Sequence, residues 1–483
     1  MIRLALLSLF ISYLCIYSFK DWYKALCFVI VLMAFLERPD MPKEMLGISG
    51  LNPWNILFIF IFLGWLSARK SEGLVWDMPT TINWLLVIYL AVVVIGYIRL
   101  ASDYSNVLTY YSLYALPGPT SKELFIDKIV NTIKWVLPGL LVFDGCRSKE
   151  RVKWLIVALI GFYLLIALQV IKWMPISAIV DSGVLEARSA RVLDREIGYY
   201  RTDIAMMLAG GAWLVYASLN LFAGKHRRLL LIGLMGVMVL GLALTAGRTG
   251  YATFFLIGLA FMWFKWRKLL LLLPIAILSV YLVLPAAFGR FTEGFTADNS
   301  TGVGQKNLAD AQGDPNFEAI TAGRSFTWPF VIDEIVKSPL VGYGREAMQN
   351  IGLSYLLAVE YNDSFPHPHN AYLQLLLDNG LLGALPIFLL FALLLKYGLI
   401  LLKEKRSMFV ASIGAMTLAI ILAQLIASVG AQSFYPVESS VGLWCAIGLL
   451  LRIYIDREKY ISQESVGDGK GLSGQFHSKT NFS

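Results

Sequence analysis

Two histidines stand between prolines in the run Pro366-His367-Pro368-His369-Asn370, and arginines recur at Arg248, Arg290, Arg324 and Arg345 and at Arg188, Arg191, Arg195 and Arg201. Imidazole, with an unperturbed pKa of about 6.5, is suited to take a proton from an attacking hydroxyl at neutral pH. Guanidinium stays charged and can grip phosphate oxygens in a two-pronged fork. The two groups together fit a reaction in which a hydroxyl attacks and a phosphorylated group leaves. The charge that develops on such a leaving group must be neutralised by metal ions or by arginines. No Asp-x-Asp pair accompanies these arginines, so in this reading arginine takes the place of metal and no cofactor is expected.

Each residue also has a plainer role open to it. His369 could cap the following helix or bond a backbone group. The His367–His369 pair could begin a metal site, but no further His or Cys falls on the same side of the chain to complete one. Arg248, between Gly247 and Thr249-Gly250, could be an interfacial residue in a tight turn. Arg324 could pair with Asp333 or Glu334. The group from Arg188 to Arg201 could be a solvated face or a contact to lipid headgroups. Glu438, after Tyr435-Pro436, could serve as an alternative base or could orient His369, or could be a plain solvated carboxylate.

The elements that carry these residues belong to a membrane protein. Hydrophobic residues make up 57% of the 483-residue chain and charged residues 15%, against roughly a quarter charged in soluble domains. Apolar stretches near the roughly 20 residues of a spanning helix recur throughout: Leu4–Phe19, Ala25–Leu36, Trp54–Leu66, Ile82–Ile98, Val130–Phe143, Trp154–Trp173, Ile204–Phe222, Leu229–Thr245, Tyr251–Phe264, Leu269–Ala287, Leu381–Leu402, Phe409–Val429 and Val441–Ile455. They predict an all-α, polytopic transmembrane bundle of about 12 or 13 spans. Leu4–Phe19 is followed by no small-x-small cleavage site and is expected to be retained. The four cysteines, Cys15, Cys27, Cys146 and Cys445, lie in or beside apolar spans and read as buried small hydrophobes.

The formal charge of +8 does not point to nucleic acid, because the basic residues sit in short connections. These are Arg69-Lys70, Arg147–Lys153, Lys225–Arg228, Lys265–Lys268, Lys403–Arg406 and Arg457–Lys459. The positive-inside rule places them in the cytoplasm. The alternate connections are then extracytoplasmic: Leu100–Lys128, Met174–Arg201, the Gly247–Gly250 turn, Gly289–Asn370 and Gly430–Ser440. Met1 falls outside if the first two spans are counted separately and inside if they are merged.

Residues 1–460 form one membrane domain in this reading, with 289–370 as its large outer loop and 461–483 as a polar, disordered cytoplasmic tail. Within the loop, Phe326–Val336 carries apolar residues at helical spacing, Pro339 ends the pattern, Gly342-Tyr343-Gly344 turns, and Leu353–Val359 predicts a further short helix. Asp298–Asp314 reads as flexible.

His369-Asn370 followed by Gly380 resembles the signature of the O-antigen ligase and Wzy-type polysaccharide polymerase superfamily. The Gly247-Arg248-Thr249-Gly250 turn, Arg324 with Trp328, and the Ser338-Pro339-Leu340-Val341-Gly342-Tyr343-Gly344 run are similar to that family and stand in its order. The resemblance covers mainly Ile204–Val429. The chain departs from many members at Tyr200-Arg201-Thr202-Asp203, where an Asn-containing segment is usual. The resemblance implies a metal-independent membrane glycosyltransferase at the periplasmic face of the bacterial inner membrane. Its donor would be an undecaprenyl-diphosphate-linked glycan and its acceptor a glycan, lipid A core or protein. His369, Arg248 and Arg324 would then be catalytic, and Arg290, Arg345, Asn370, Arg191, Arg201 and Glu438 would bind substrate. A lipid or solute transporter is the competing class, against which stands the scarcity of charge within the spans.

Overall fold

In a computed structural model the chain is described over residues 2–36, 38–42, 44–45, 48–222, 224–292, 324–361, 364–430 and 433–464. Every apolar stretch of the sequence falls on a helix. The first half contributes α1 (Ile2–Tyr17), α2 (Trp22–Leu36), α3 (Pro53–Ser71), α4 (Thr80–Ser102), α5 (Ser105–Ser112), α6 (Ser121–Phe125), α7 (Thr132–Gly145), α8 (Lys149–Trp173), α9 (Ser182–Ile197) and α10 (Arg201–Ser218). The second half contributes α11 (Lys225–Leu244), α12 (Arg248–Phe264), α13 (Leu273–Val283), α14 (Pro285–Thr292), α15 (Trp328–Lys337), α16 (Ala347–Asn350), α17 (Leu353–Tyr361), α18 (Ala371–Leu402), α19 (Met408–Ala427) and α20 (Val441–Ile455). A two-residue antiparallel pairing, β1 (Glu44–Met45) with β2 (Ile48–Ser49), joins α2 to α3.

The chain is a polytopic helical bundle. Among the described residues six helices are long and apolar enough to cross a membrane, or seven if α13 and α14 form one broken span. The remaining expected spans are helices that fall short by length or by polar ends, such as Arg69-Lys70 in α3 and Arg201 with Asp203 in α10. Leu269–Ala287, expected as one span, is instead broken at Leu284–Pro285 by a bend of 111°. Proline has no N–H to continue the ladder, which accounts for the break. Small residues let helices approach closely: a side chain on Gly139 of α7 would meet the Trp444 backbone of α20.

The basic connections meet at one end of the bundle. Arg69 pairs with Asp144 at 3.4 Å, Arg151 with Glu72 at 2.7 Å, Arg406 with Glu458 at 2.9 Å, and Lys459 donates to the Arg147 carbonyl at 3.1 Å. Arg452, fully buried, is held by Asp77 through Nη1 at 2.9 Å. The turn between α1 and α2 lies at this same end, where Trp22 donates to Glu72 at 3.0 Å. The first two helices are therefore separate, and the start of α1 points to the opposite end.

Two expectations change in detail. The chain is still helical over 461–464, where the tail was expected to have begun, and Glu464 accepts from the Phe409 N–H at 3.3 Å; the rest of that tail and Asp298–Asp314 lie outside the described residues. Met174–Arg201, expected as a connection between spans, contains α9, capped by Asp181 and ended by Gly198 in the left-handed conformation.

Candidate functional site

The histidine run is an extended strap, because two prolines leave it with few backbone donors and no helical pattern of its own. Its carbonyls are taken up by side chains from other elements. Ser354 donates to Phe365 O at 2.7 Å, Gln349 to Pro366 O at 3.3 Å, and Trp328 to Pro368 O at 3.1 Å. The backbone N–H of His369 donates to His367 Nδ1 at 3.2 Å, and the two rings lie 4.1 Å apart at 56°. With Nδ1 accepting, neutral His367 carries its proton on Nε2.

His369 has φ of +50°, a left-handed turn that swings the chain from the strap into α18. Asn370 caps that helix, its side-chain oxygen accepting from the N–H groups of Tyr372 and Leu373. Its carboxamide oxygen is thus committed to the helix start. Ala371 N–H then donates to the Ser428 carbonyl at 2.8 Å, fastening the re-entry to the end of α19. Both histidines are half-buried.

The arginine turn reaches the same end of α19. Ala246, with φ of +54°, makes the turn, and Arg248 is the first residue of α12 rather than part of a free turn. Gly430, two residues beyond Ser428, packs so closely on Thr249 that a Cβ there would lie 2.8 Å from Thr249 Oγ1. On its other side Gly247 packs on Ala205, near the start of α10.

That start carries Arg201, which shares Glu186 of α9 with Arg290 of α14, at 3.5 and 2.6 Å. Arg290 is only 4% exposed. One carboxylate therefore gathers two guanidinium groups from elements far apart in sequence. Arg191, by contrast, is exposed on the face of α9 opposite the buried Leu185, Ser189 and Leu193. The backbone of Arg324 opens a 3₁₀ turn, Arg324–Thr327, in which Phe326 packs on Phe365 at the start of the strap at 6.0 Å; its side chain lies outside the description.

Arg345 belongs to a different neighbourhood. It is 8% exposed, its guanidinium carbon sits 3.2 Å from the Tyr435 ring centroid, and its Nε and Nη1 make no hydrogen bond. The sequence reading missed the residues around it. Asp378 accepts from Tyr435 OH at 2.9 Å and from Ala347 N–H at 3.1 Å. Glu346, beside Arg345, pairs with Lys128 at 2.6 Å. Burial alone would raise the Glu346 carboxyl, but Lys128 and Arg345 outweigh it and hold it at about 2. Burial opposes the Lys128 charge, yet Glu346 leaves it raised.

The Ser338–Gly344 run is what sets Arg345 in place. α18 breaks at Gly380, whose φ of 59° and ψ of −168° only glycine adopts comfortably. The break frees backbone groups that bond the run: Tyr343 N–H to Leu377 O at 2.9 Å, Gly344 N–H to Asp378 O at 2.7 Å, and Leu382 N–H to Leu340 O at 3.0 Å. A Cβ on Gly342 or on Gly380 would collide with the facing backbone. Glu438 opens the turn before α20, with Asp127 and Lys134 as its charged neighbours. Among the described residues no three His, Cys, Asp or Glu side chains are placed to hold a metal ion.

Fold and site together define a multi-pass membrane protein in which His367, His369 and the starts of α10 and α12, with Arg201 and Arg248, lie at the end opposite the basic connections. Residues 233–388, which include Arg248, Arg290, Arg345 and His369, match the protein family described as O-antigen ligase. A stretch of 81 residues is 35% identical to a Rickettsia conorii (strain ATCC VR-613 / Malish 7) protein named "Putative polysaccharide ligase RC0486", covering 16% of this chain and 19% of that protein. The chain thus matches about a fifth of that relative's length. Both matches support the O-antigen ligase superfamily.

Proposed function

We propose that the chain transfers a glycan from a polyprenyl diphosphate, of the undecaprenyl type, to an acceptor hydroxyl at the periplasmic face of the bacterial inner membrane. The observation that carries this reading is the meeting of two segments on the end of α19. Ala371, two residues after His369, is bonded to Ser428, and Thr249, next to Arg248, is packed on Gly430. The backbones that carry His369 and Arg248 thus meet within one short stretch, and Gly247 packs on Ala205 near the Arg201–Glu186–Arg290 group.

In the reaction, the acceptor oxygen forms a bond to the anomeric carbon as the bond from that carbon to the diphosphate oxygen breaks. His369 takes the acceptor's proton. Arg248, with Arg324 and Arg290, neutralises the charge left on the polyprenyl diphosphate, the role that preorganised cations fill in phosphoryl and glycosyl leaving-group chemistry. Asn370 caps the helix start with its side-chain oxygen, and its side-chain NH2 binds the sugar. The acceptor is a second lipid-linked glycan in a polymerase, and lipid A core or protein in a ligase; the same donor chemistry serves both.

The test is reconstitution of the purified chain with a lipid-linked glycan and each acceptor in turn, following release of polyprenyl diphosphate. Release that depends on one acceptor supports the reading and assigns ligase or polymerase. Intact donor with every acceptor, in protein that is folded, refutes it.

A further inference from the structure

We infer that a cavity beside the strap holds one sugar residue of the acceptor, and that this sugar is neutral or amino-bearing rather than phosphorylated. The inference rests on the transferase reading and names the acceptor class for it.

The cavity has a volume of about 270 Å³ and is bounded by Tyr111 of α5, Glu123 of α6, Asp127 and Lys128 of the following π-helical turn, and Glu346 and Gln349. Pockets for drug-sized ligands run from roughly 300 to 1,000 Å³, so this one has room for a single pyranose and not for a chain of them. Its polar groups are carboxylates, an amide and an ammonium, which pair with hydroxyls, and the Tyr111 ring and Leu124 offer apolar surface to the C–H face of a sugar.

Charge decides what kind of sugar fits. Lys128 is the only cation on the wall, and it is already taken by Glu346 at 2.6 Å and Asp127 at 2.9 Å. Three carboxylates against one ammonium leave the wall net negative by two. Arg345, next to Glu346, is not part of the wall, its guanidinium lying over the Tyr435 ring, so a phosphate brought there would face the like charge of the wall, whereas an ammonium or hydroxyl would not. The Arg201–Glu186–Arg290 group has the opposite polarity, so it and the cavity suit different parts of the reactants.

Position assigns the cavity to the acceptor. Gln349 lines it and also donates to Pro366 O in the strap, and the Glu346 carboxylate lies within electrostatic reach of His367. A sugar seated there is next to the segment that carries His369. α5 is bound to the same segment through Tyr110 OH and Ser364 Oγ at 2.7 Å, and to α16 through Asn106 and the Asn350 carbonyl at 2.8 Å.

The test is saturation-transfer NMR on the full-length protein in sugar-free detergent. The probes are the methyl glycosides of glucose, glucosamine and N-acetylglucosamine, with glucose 6-phosphate as the anionic probe. Signal is expected for at least one neutral or amino glycoside and not for the phosphate. Tyr111→Ala, and separately Asp127→Lys at an exposed position, should each cut it at least tenfold. His369→Ala should keep it, because binding does not need transfer; signal with no turnover in the wild type would therefore refute the transferase reading alone. No signal from any glycoside, equal signal from glucose 6-phosphate, or signal untouched by both cavity variants would each overturn the inference.

Discussion

The indole N–H of Trp328 donates to the carbonyl of Pro368 at 3.1 Å, one residue before His369. A side chain from the long loop before α18 thus fixes the backbone that leads into the histidine. Pro368 is itself buried, so its carbonyl has little access to water if the donor is removed. Trp328→Phe keeps the ring and deletes the donor, and is expected to cost about 1 to 3 kcal/mol of stability. It should also lower kcat for transfer more than it raises KM. A variant that melts earlier but turns over at the wild-type kcat would show that the strap needs no such anchor.

Arg248→Ala should lower turnover by roughly 10² to 10³, the range for losing one preorganised charge contact in a transition state. Arg248→Lys should recover only part of this, since an ammonium cannot make the two-pronged contact. Turnover by the wild type should persist in excess EDTA. Activity abolished by chelator and restored by a divalent ion would assign the neutralising role to metal instead.

Gly380→Ala places a side chain where φ and ψ are open essentially only to glycine and where the Leu340 backbone already sits. Its expected effect is loss of folded, monodisperse protein in size-exclusion chromatography, beyond the roughly 1 to 3 kcal/mol of a strained backbone alone. Wild-type yield and melting would mean that the break in α18 can rearrange.

The Lys128–Glu346 pair gives stability a pH dependence of known sign. The Glu346 carboxyl is held at about 2 in the fold against an ordinary value of 4.5. A depressed carboxyl stabilises fully above its unfolded pKa, and that contribution fades as pH falls from about 4.5 towards 2. Melting curves of wild type and Glu346→Gln should therefore differ most at pH 6 to 7, roughly, and converge on acidification. A difference that is constant with pH would mean that the ion pair does not stabilise the fold.

Lys337 in the outer loop and Lys405 in a basic connection are both exposed, and the four native cysteines are buried. Lys337→Cys and Lys405→Cys should label from opposite sides of the membrane, Lys337→Cys from the periplasm. Labelling of both from one side would overturn the orientation.

The spanning helices were legible because apolar runs near spanning length recur and end in polar residues, and the loop helices α15 and α17 were legible from their spacing. α9 was passed over, although Leu185, Ser189, Leu193 and Ile197 stand four apart along one face. α6 was also passed over, although Thr120-x-x-Glu123 is a capping box that the sequence spells out. What no local pattern could reveal is partnership across the chain. Glu186 gathering Arg201 and Arg290, or Asp378 bonding Tyr435, depends on how remote helices pack. For the same reason Arg345 and Arg290 looked alike in the sequence, yet one lies on an aromatic ring and the other on a carboxylate.

The central claim is that His369 takes the acceptor's proton, and the most direct measurement is single-turnover transfer by His369→Ala beside wild type, at matched levels of folded protein. General-base catalysis typically supplies about 10² to 10⁴ in rate, so transfer should fall by at least 10², roughly, while donor binding is retained. His367→Ala, which loses the acceptor of the His369 N–H but not the imidazole at 369, should be milder. Transfer by His369→Ala within about threefold of wild type would contradict the account and place the base elsewhere.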